Sequence, residues 1–131
     1  MVFAILAGAS SCNTSKNLNS GYSIYDLWSG TEVAKSDGVR NAYSLCIYKD
    51  GTLTFQGIAA GVEHFGTGTW SLSGTLFKCK VVTKYGIRTN VGVVQDMQIN
   101  YNGKKGTLIG TRENENFSYH DEGSVSLKKV Q

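Results

Sequence analysis

Two short segments near the middle of the chain alternate apolar with polar residues and meet at Gly74. Within residues 65–82, a single serine separates Trp70 from Leu72, and a second alternating run begins at Phe77. Alternation with a period of two puts one set of side chains on each face of a β-strand. The stretch therefore predicts an antiparallel hairpin with one buried face, on which Trp70 is the central aromatic anchor.

Similar alternating segments recur along the chain between turn residues. Residues 42–48 alternate, Lys-Asp-Gly at 49–51 supplies a hairpin turn, and residues 52–55 form the returning strand. Further along, Asn102-Gly103 predicts a two-residue type I′ turn between two later strands. The chain is therefore expected to consist mainly of strands joined to their sequence neighbours.

Eight strands are predicted in all, and the sixteen glycines and absence of proline suit a chain with many tight turns. Residues 57–64 predict a loop with a short turn of helix, and residues 113–116 predict an exposed loop tip. Eight sequential antiparallel strands hide every edge when they close into an up-and-down barrel, and a β-sandwich is the alternative. The fold class is therefore all-β, with a barrel interior that is filled or holds one small ligand.

Composition indicates a single globular domain and argues against nucleic-acid binding. The 131 residues are 40% hydrophobic and 18% charged, which suffices for a core without disulfides or a metal. The net charge is +3, and the lysines occur as scattered doublets. Because a nucleic-acid surface needs a denser basic stripe, we expect no nucleic-acid partner.

Residues 1–12 combine an apolar run, small residues and a cysteine, which is typical of the end of an export signal. Residues 9–12, Ala-Ser-Ser-Cys, resemble the lipobox of bacterial lipoproteins, in which the cysteine becomes the acylated N-terminus. The resemblance implies that Cys12 anchors a secreted or outer-membrane/periplasmic lipoprotein to the membrane, and an inert apolar terminus is the alternative. Residues 13–24 are polar and aperiodic, which predicts a flexible tether before a barrel domain at residues 25–131.

Five features occur together between residues 25 and 130. They are Trp28 in the first strand, the strand 52–55 after its Lys-Asp-Gly turn, Gly-Thr-Trp at 68–70, Leu-Ile-Gly-Thr at 108–111, and a closing Ser-Leu-Lys-Lys at 126–129. Together they resemble the lipocalin-like domains of small secreted lipoproteins from Bacteroidota-type bacteria. The resemblance implies a calycin-type barrel outside the inner membrane, and it implies no particular ligand.

Six aromatic side chains are expected to point into the barrel. They are Trp28, Tyr43, Phe55, Trp70, Phe77 and Tyr101. If they line a pocket, the protein binds a small hydrophobic ligand; if they fill the core, it is a structural or protein-interaction domain, such as an envelope subunit or an inhibitor. Trp28 starts the first strand, so it should contribute less stability than Trp70 unless it plugs the closed end.

No residue pattern indicates catalysis, a metal site or a cofactor. A Gly-x-Ser-x-Gly elbow is missing, and His64 and His120 are expected to be solvated loop residues without ligand partners at metal spacing. Strand alternation turns Cys79 inward and Cys46 to the opposite face, so a disulfide between them is not expected. We therefore predict a binding protein that is not an enzyme.

Overall fold

A computed structural model describes residues 16–17, 21–116 and 119–131, which form ten strands. The strands β1 (Lys16–Asn17) and β2 (Gly21–Tyr22) pair only with each other. The barrel strands are β3 (Asp26–Ala34), β4 (Arg40–Ile47), β5 (Thr52–Ala59), β6 (Val62–Ser73), β7 (Leu76–Tyr85), β8 (Val94–Asn102), β9 (Thr107–Asn116) and β10 (Tyr119–Lys129). A 3-10 turn at Arg88–Asn90 lies between β7 and β8.

The eight barrel strands β3 to β10 close into one antiparallel barrel, as predicted. Each strand pairs with its sequence neighbours, and β10 also pairs with β3 over seven residue pairs from Gly123↔Ala34 to Lys129↔Trp28. Closure leaves no barrel strand with an unpaired edge, which removes the risk of edge-to-edge association. Within the described residues, no α-helix is long and apolar enough to cross a lipid bilayer.

Two predicted loops are strand instead. The small residues 57–64 form the end of β5 and the start of β6, joined by a tight turn in which Ala60 and Gly61 have φ of 52° and 75°. Small side chains are typical of loops, but they also occur in barrel strands where neighbouring backbones approach closely. Residues 113–116, predicted as an exposed tip, continue β9, and Asn114 among them is buried inside the barrel.

The turn between β8 and β9 is longer than the predicted two-residue type I′ turn at Asn102-Gly103. The positive φ, 69°, belongs to Gly106, and the Gly106 amide donates to the Asn102 carbonyl over 2.9 Å. The Asn102 side-chain oxygen accepts hydrogen bonds from the amides of Lys104 and Lys105. The asparagine therefore stabilises the turn through its side chain rather than through its own left-handed backbone.

The end of the barrel that carries the β4–β5, β6–β7 and β8–β9 turns is filled by a hydrophobic core. Trp28 is 0% exposed at its centre, and Phe77, Leu45 and Leu127 are also fully buried. Trp70 points inward as predicted but is only partly buried. It lies near the rim of the barrel, where its indole nitrogen donates to the Tyr48 carbonyl at the β4–β5 turn. Trp28 therefore plugs the closed end, and the expectation that Trp70 is the main anchor is wrong.

Residues 21–25 cover this closed end. The Tyr22 amide donates to the Gly103 carbonyl over 2.6 Å, and the Tyr25 ring lies edge-on to Trp70 at 6.0 Å between centroids. The Lys129 ammonium donates to the carbonyls of Ser23 and Tyr25. Residues 21–24 were predicted to belong to a flexible tether, but backbone and side-chain hydrogen bonds fix them to the barrel.

Glycines in the β6 wall allow the barrel to close tightly. A Cβ atom on Gly66 would lie 2.4 Å from the Phe55 ring, and one on Gly68 would lie 1.9 Å from the Lys80 carbonyl oxygen. No side chain fits in either position, because the neighbouring strand and ring occupy the space. The Gly-Thr-Gly-Thr sequence before Trp70 thus permits the close approach of the Phe55 ring and of β7 to the β6 backbone.

Candidate ligand cavity

The inward residues of the barrel strands change from apolar at the closed end to polar at the other end. Along β9, Leu108 is followed by Arg112 and Asn114, and along β3, Trp28 is followed by Glu32. The buried polar residues of the open half are Glu32, His64, Thr83, Gln95, Arg112 and Asn114. Burying polar groups costs free energy unless they are hydrogen-bonded, so their concentration at one end needs a reason beyond packing.

These side chains surround a cavity of about 610 Å³ that opens at the end with the β3–β4, β5–β6 and β7–β8 connections. This volume is within the range of about 300–1,000 Å³ that is usual for small-molecule sites. Its apolar wall includes Tyr43 and Phe55, whose rings stack with centroids 5.3 Å apart and planes 4° apart. The cavity is therefore amphiphilic, with aromatic faces on one side and polar groups on the other.

All six predicted aromatic residues lie in the barrel interior, but they divide between its two halves. Tyr43 and Phe55 line the cavity. The other four pack in the closed half, where they fill space: Trp28, Trp70, Phe77 and Tyr101. Trp28 lies edge-on to Tyr101 at 6.2 Å, and Trp70 stacks on Phe77 at 5.8 Å. The aromatic set thus lines a cavity in one half of the barrel and fills the core in the other half.

A buried ion-pair network forms one side of the cavity. The Arg112 Nε atom donates to Glu32 Oε1 over 2.5 Å, and its Nη1 atom donates to Asp121 Oδ2 over 3.0 Å. Asn41 Nδ2 donates to the second Glu32 oxygen over 2.6 Å. The Arg112 side chain is 2% exposed, and removing such a group would leave buried carboxylates without a counter-charge.

His64 is buried in the barrel wall rather than solvated in a loop, so that expectation was wrong. Its Nδ1 atom lies 3.0 Å from the Val62 carbonyl, and the Ile87 amide donates to its Nε2 atom over 3.2 Å. A carbonyl only accepts and an amide only donates, so the ring is the neutral tautomer with its proton on Nδ1. Gly86 lies flat against the ring, where a Cβ would come within 2.3 Å. His64 therefore anchors the β7–β8 connection at the cavity mouth.

Tyr43 and Asn114 present contrasting polar groups to the cavity. Burial raises the pKa of Tyr43 well above its usual value, so the phenol keeps its proton and donates to Gln95 Oε1 over 2.5 Å. Among the described residues, the Asn114 side-chain oxygen is the one buried side-chain polar atom without a hydrogen-bond partner. An unpaired buried acceptor is costly, which marks Asn114 as a position kept for something other than stability.

The two cysteines in the barrel lie on opposite faces, as predicted. Cys79 is buried among core residues and Cys46 is partly exposed on the outer side, and both are free thiols. Burial raises the pKa of Cys79 to about 12. Cys79 therefore behaves as a small apolar core residue. The third cysteine, Cys12, lies outside the described residues, as do the predicted signal and half of the predicted tether.

His120 lies on the outer face of β10 beside two carboxylates that the sequence did not connect to it. Glu122 is two residues along the same strand, and Glu113 is the direct partner of Glu122 on β9. The ligand atoms of the three side chains all lie within 4.8 Å of one another. All three are exposed, and water competes for a cation at such a site, so the cluster alone does not indicate a metal centre.

The buried polar side chains of the cavity were not predicted from the sequence. The alternation of β9 already placed Arg112 and Asn114 on the same face as Leu108, which was the available signal.

For comparison with known proteins, no protein-family model matches the chain, and no curated protein or solved structure is similar enough to match it. The function is therefore argued from the cavity itself.

Proposed function

We propose that this protein binds a small organic molecule in the open half of its barrel. The observation that supports this most directly is the cavity of about 610 Å³ whose wall carries buried polar groups beside the stacked rings of Tyr43 and Phe55. A barrel that needed only stability would gain more from apolar residues at these positions, since a buried ion pair is often no better than an apolar replacement. The closed half already supplies a continuous hydrophobic core.

A neutral apolar dye tests this proposal directly. N-phenyl-1-naphthylamine should show a saturable rise in fluorescence with the parent protein. The variant Ala59→Trp should abolish that rise, because Ala59 lines the cavity near its mouth. Ser73→Trp adds the same side chain at an exposed position at the far end of β6 and should bind dye like the parent.

Two results would contradict the proposal: no saturable signal from the parent protein, or equal losses in the two tryptophan variants. Mass spectrometry of small molecules that co-purify with the parent protein is an independent test, and it would identify the class of a natural ligand. A protein that carries none, and binds no dye, has no ligand-binding function of this kind.

A protein-interaction role is the second candidate, and one surface feature favours it. Ile58, Phe65 and Tyr85 are 47%, 36% and 67% exposed, and Phe65 pairs directly with Tyr85 in the β6–β7 register. They form an apolar group on the outer wall near the mouth. The double variant Phe65→Ser/Tyr85→Ser should leave dye binding unchanged, so it separates a role of this surface from that of the cavity.

Export and lipid attachment through Cys12 form a separate part of the proposal, supported by the signal-like residues 1–12. The parent should partition with membranes, and Cys12→Ser should become soluble or remain an uncleaved precursor. Stable anchoring requires more than one acyl chain, as bacterial lipoproteins carry. Unchanged partitioning of Cys12→Ser would overturn the lipoprotein assignment and would leave the ligand-binding proposal intact.

A further inference from the structure

The charged groups around the cavity are unbalanced. Its lining includes the carboxylates of Glu32, Asp37 and Asp121 and a single guanidinium, that of Arg112. The formal charge of the lining is therefore negative, whereas the whole chain has a net charge of +3. A concave site with an excess of one sign concentrates ligands of the opposite sign, so the cavity favours cations although the protein as a whole is basic.

The one cationic side chain of the lining is already engaged. Arg112 donates through Nε to Glu32 and through Nη1 to Asp121, at 2.5 and 3.0 Å. An anionic ligand would have to displace one of these carboxylates or lie beside both of them. Like charges at close range in a poorly solvated site are strongly unfavourable. Arg112 therefore organises the carboxylates and does not provide an anion site.

The unpaired Asn114 oxygen lies between two other polar residues of the cavity lining. Asn114 is directly opposite Asp121 on β10 and directly opposite Gln95 on β8, with all three residues in the cavity lining. Asn114 is 9% exposed, and its oxygen has no hydrogen-bond partner, so a ligand that carries a hydrogen-bond donor into the cavity would pair with it. The Asp121 carboxylate accepts from Arg112 Nη1 and from the Ser36 hydroxyl, and it adds negative charge to this side of the cavity.

We infer that the ligand is a small organic amine, a conclusion that rests on the ligand-binding function proposed above. Its protonated amino group donates to the Asn114 oxygen and is attracted by the carboxylates of Asp121 and Glu32. Its apolar body lies along the stacked rings of Tyr43 and Phe55. An ammonium group supplies three donors and a positive charge, which matches both the unpaired acceptor and the negative lining.

Three probes of nearly equal size separate charge from shape: 3-phenylpropylamine, 3-phenylpropan-1-ol and 3-phenylpropionate. Their affinities for the full chain are measured by isothermal titration calorimetry at neutral pH. The amine should bind about ten- to hundredfold more tightly than the alcohol, because its hydrogen bonds to the site are charge-assisted. The carboxylate should bind more weakly than the alcohol.

The outcomes separate the inference about an amine from the ligand-binding function on which it rests. If the carboxylate binds as tightly as the amine, or if all three bind equally, the preference for a cation is refuted while ligand binding stands. If none of the three binds and the neutral dye does not bind either, the ligand-binding function itself fails. If the dye binds and the amine does not, only the inference about the amine fails.

Asn114→Leu tests the unpaired acceptor in a variant with the same branching and the same number of side-chain heavy atoms. The amine affinity should fall about tenfold, whereas the melting temperature should stay the same or rise, because an unsatisfied buried oxygen has been removed. Asn100→Leu is the matched control, since Asn100 is exposed on the outer face of β8. It should leave amine binding unchanged. A loss of stability without a loss of amine affinity in Asn114→Leu would overturn the assigned role.

Discussion

Replacing Trp28 with alanine tests whether the closed half of the barrel provides the stability that lets the open half carry polar groups. The indole is 0% exposed, lies edge-on to Tyr101, and has the Lys129 ammonium 5.2 Å from its ring centroid. Its nitrogen donates to the Ile24 carbonyl over 2.8 Å. One side chain thus joins the core, the C-terminal strand and the covering segment.

The expected loss of stability in Trp28→Ala has two causes: the cavity that the indole leaves, and the Ile24 carbonyl that loses its hydrogen-bond donor. Large-to-small substitution of a buried tryptophan costs about 3–5 kcal/mol of unfolding free energy. Trp28→Phe keeps most of the apolar volume but leaves the Ile24 carbonyl unpaired, which should cost about 1–3 kcal/mol. Trp70→Ala should cost less than Trp28→Ala, because Trp70 is only partly buried. A domain with a total stability of about 5–15 kcal/mol would be close to unfolding after the first change.

Urea denaturation monitored by circular dichroism measures the unfolding midpoint of all three variants. It does not rely on tryptophan fluorescence, which the substitutions alter. With slopes of about 1–3 kcal/mol per M, the midpoint of Trp28→Ala should fall by at least about 1 M. Trp28→Phe should lie between it and the parent. The reasoning is refuted if Trp28→Ala unfolds at the parent's midpoint, or if Trp70→Ala is the less stable of the two alanine variants.

Two further predictions concern buried groups of the barrel. Arg112→Met should lower the unfolding free energy by about 3–5 kcal/mol because Glu32 loses its buried counter-charge, whereas Arg40→Met at an exposed position should change it by less than about 0.5 kcal/mol; matching urea midpoints for the two variants would contradict this. A thiol reagent should label Cys46 in the native protein and Cys79 only after unfolding, since burial raises the pKa of Cys79 to about 12. Peptide mapping identifies the labelled thiol, and native labelling of Cys79 would show that the assigned face of β7 is wrong.

The strand alternation was sufficient to predict which face of each strand is buried, because a slip of one residue would turn every buried side chain outward. The same alternation gives the face of a residue but not its depth along the barrel axis. Trp28 and Trp70 both point inward, yet one lies at the centre of the core and the other near the closed rim. Depth depends on how the strands are staggered around the closed barrel, which no single strand encodes.

The polar side chains of the cavity could not be predicted from the sequence either, and the reason is related. Glu32 and Arg112 are 80 residues apart in sequence, and they meet because β10, which pairs with both β3 and β9, lies between their strands. Each residue alone, at one position of an alternating strand, is indistinguishable from an ordinary exposed charge near a loop. The chemistry of the cavity therefore depends on barrel closure, which local sequence patterns do not contain.

The covering segment also determines the end at which the chain enters the barrel. Residues 21–25 lie across the closed end, and β1 pairs with β2 beside them, so the chain approaches the barrel from that side. The cavity mouth is at the opposite pole of the molecule. An attachment through the preceding residues would therefore join the barrel at the end opposite its mouth. Such an attachment would leave the mouth free to admit a water-soluble amine from the surrounding solution.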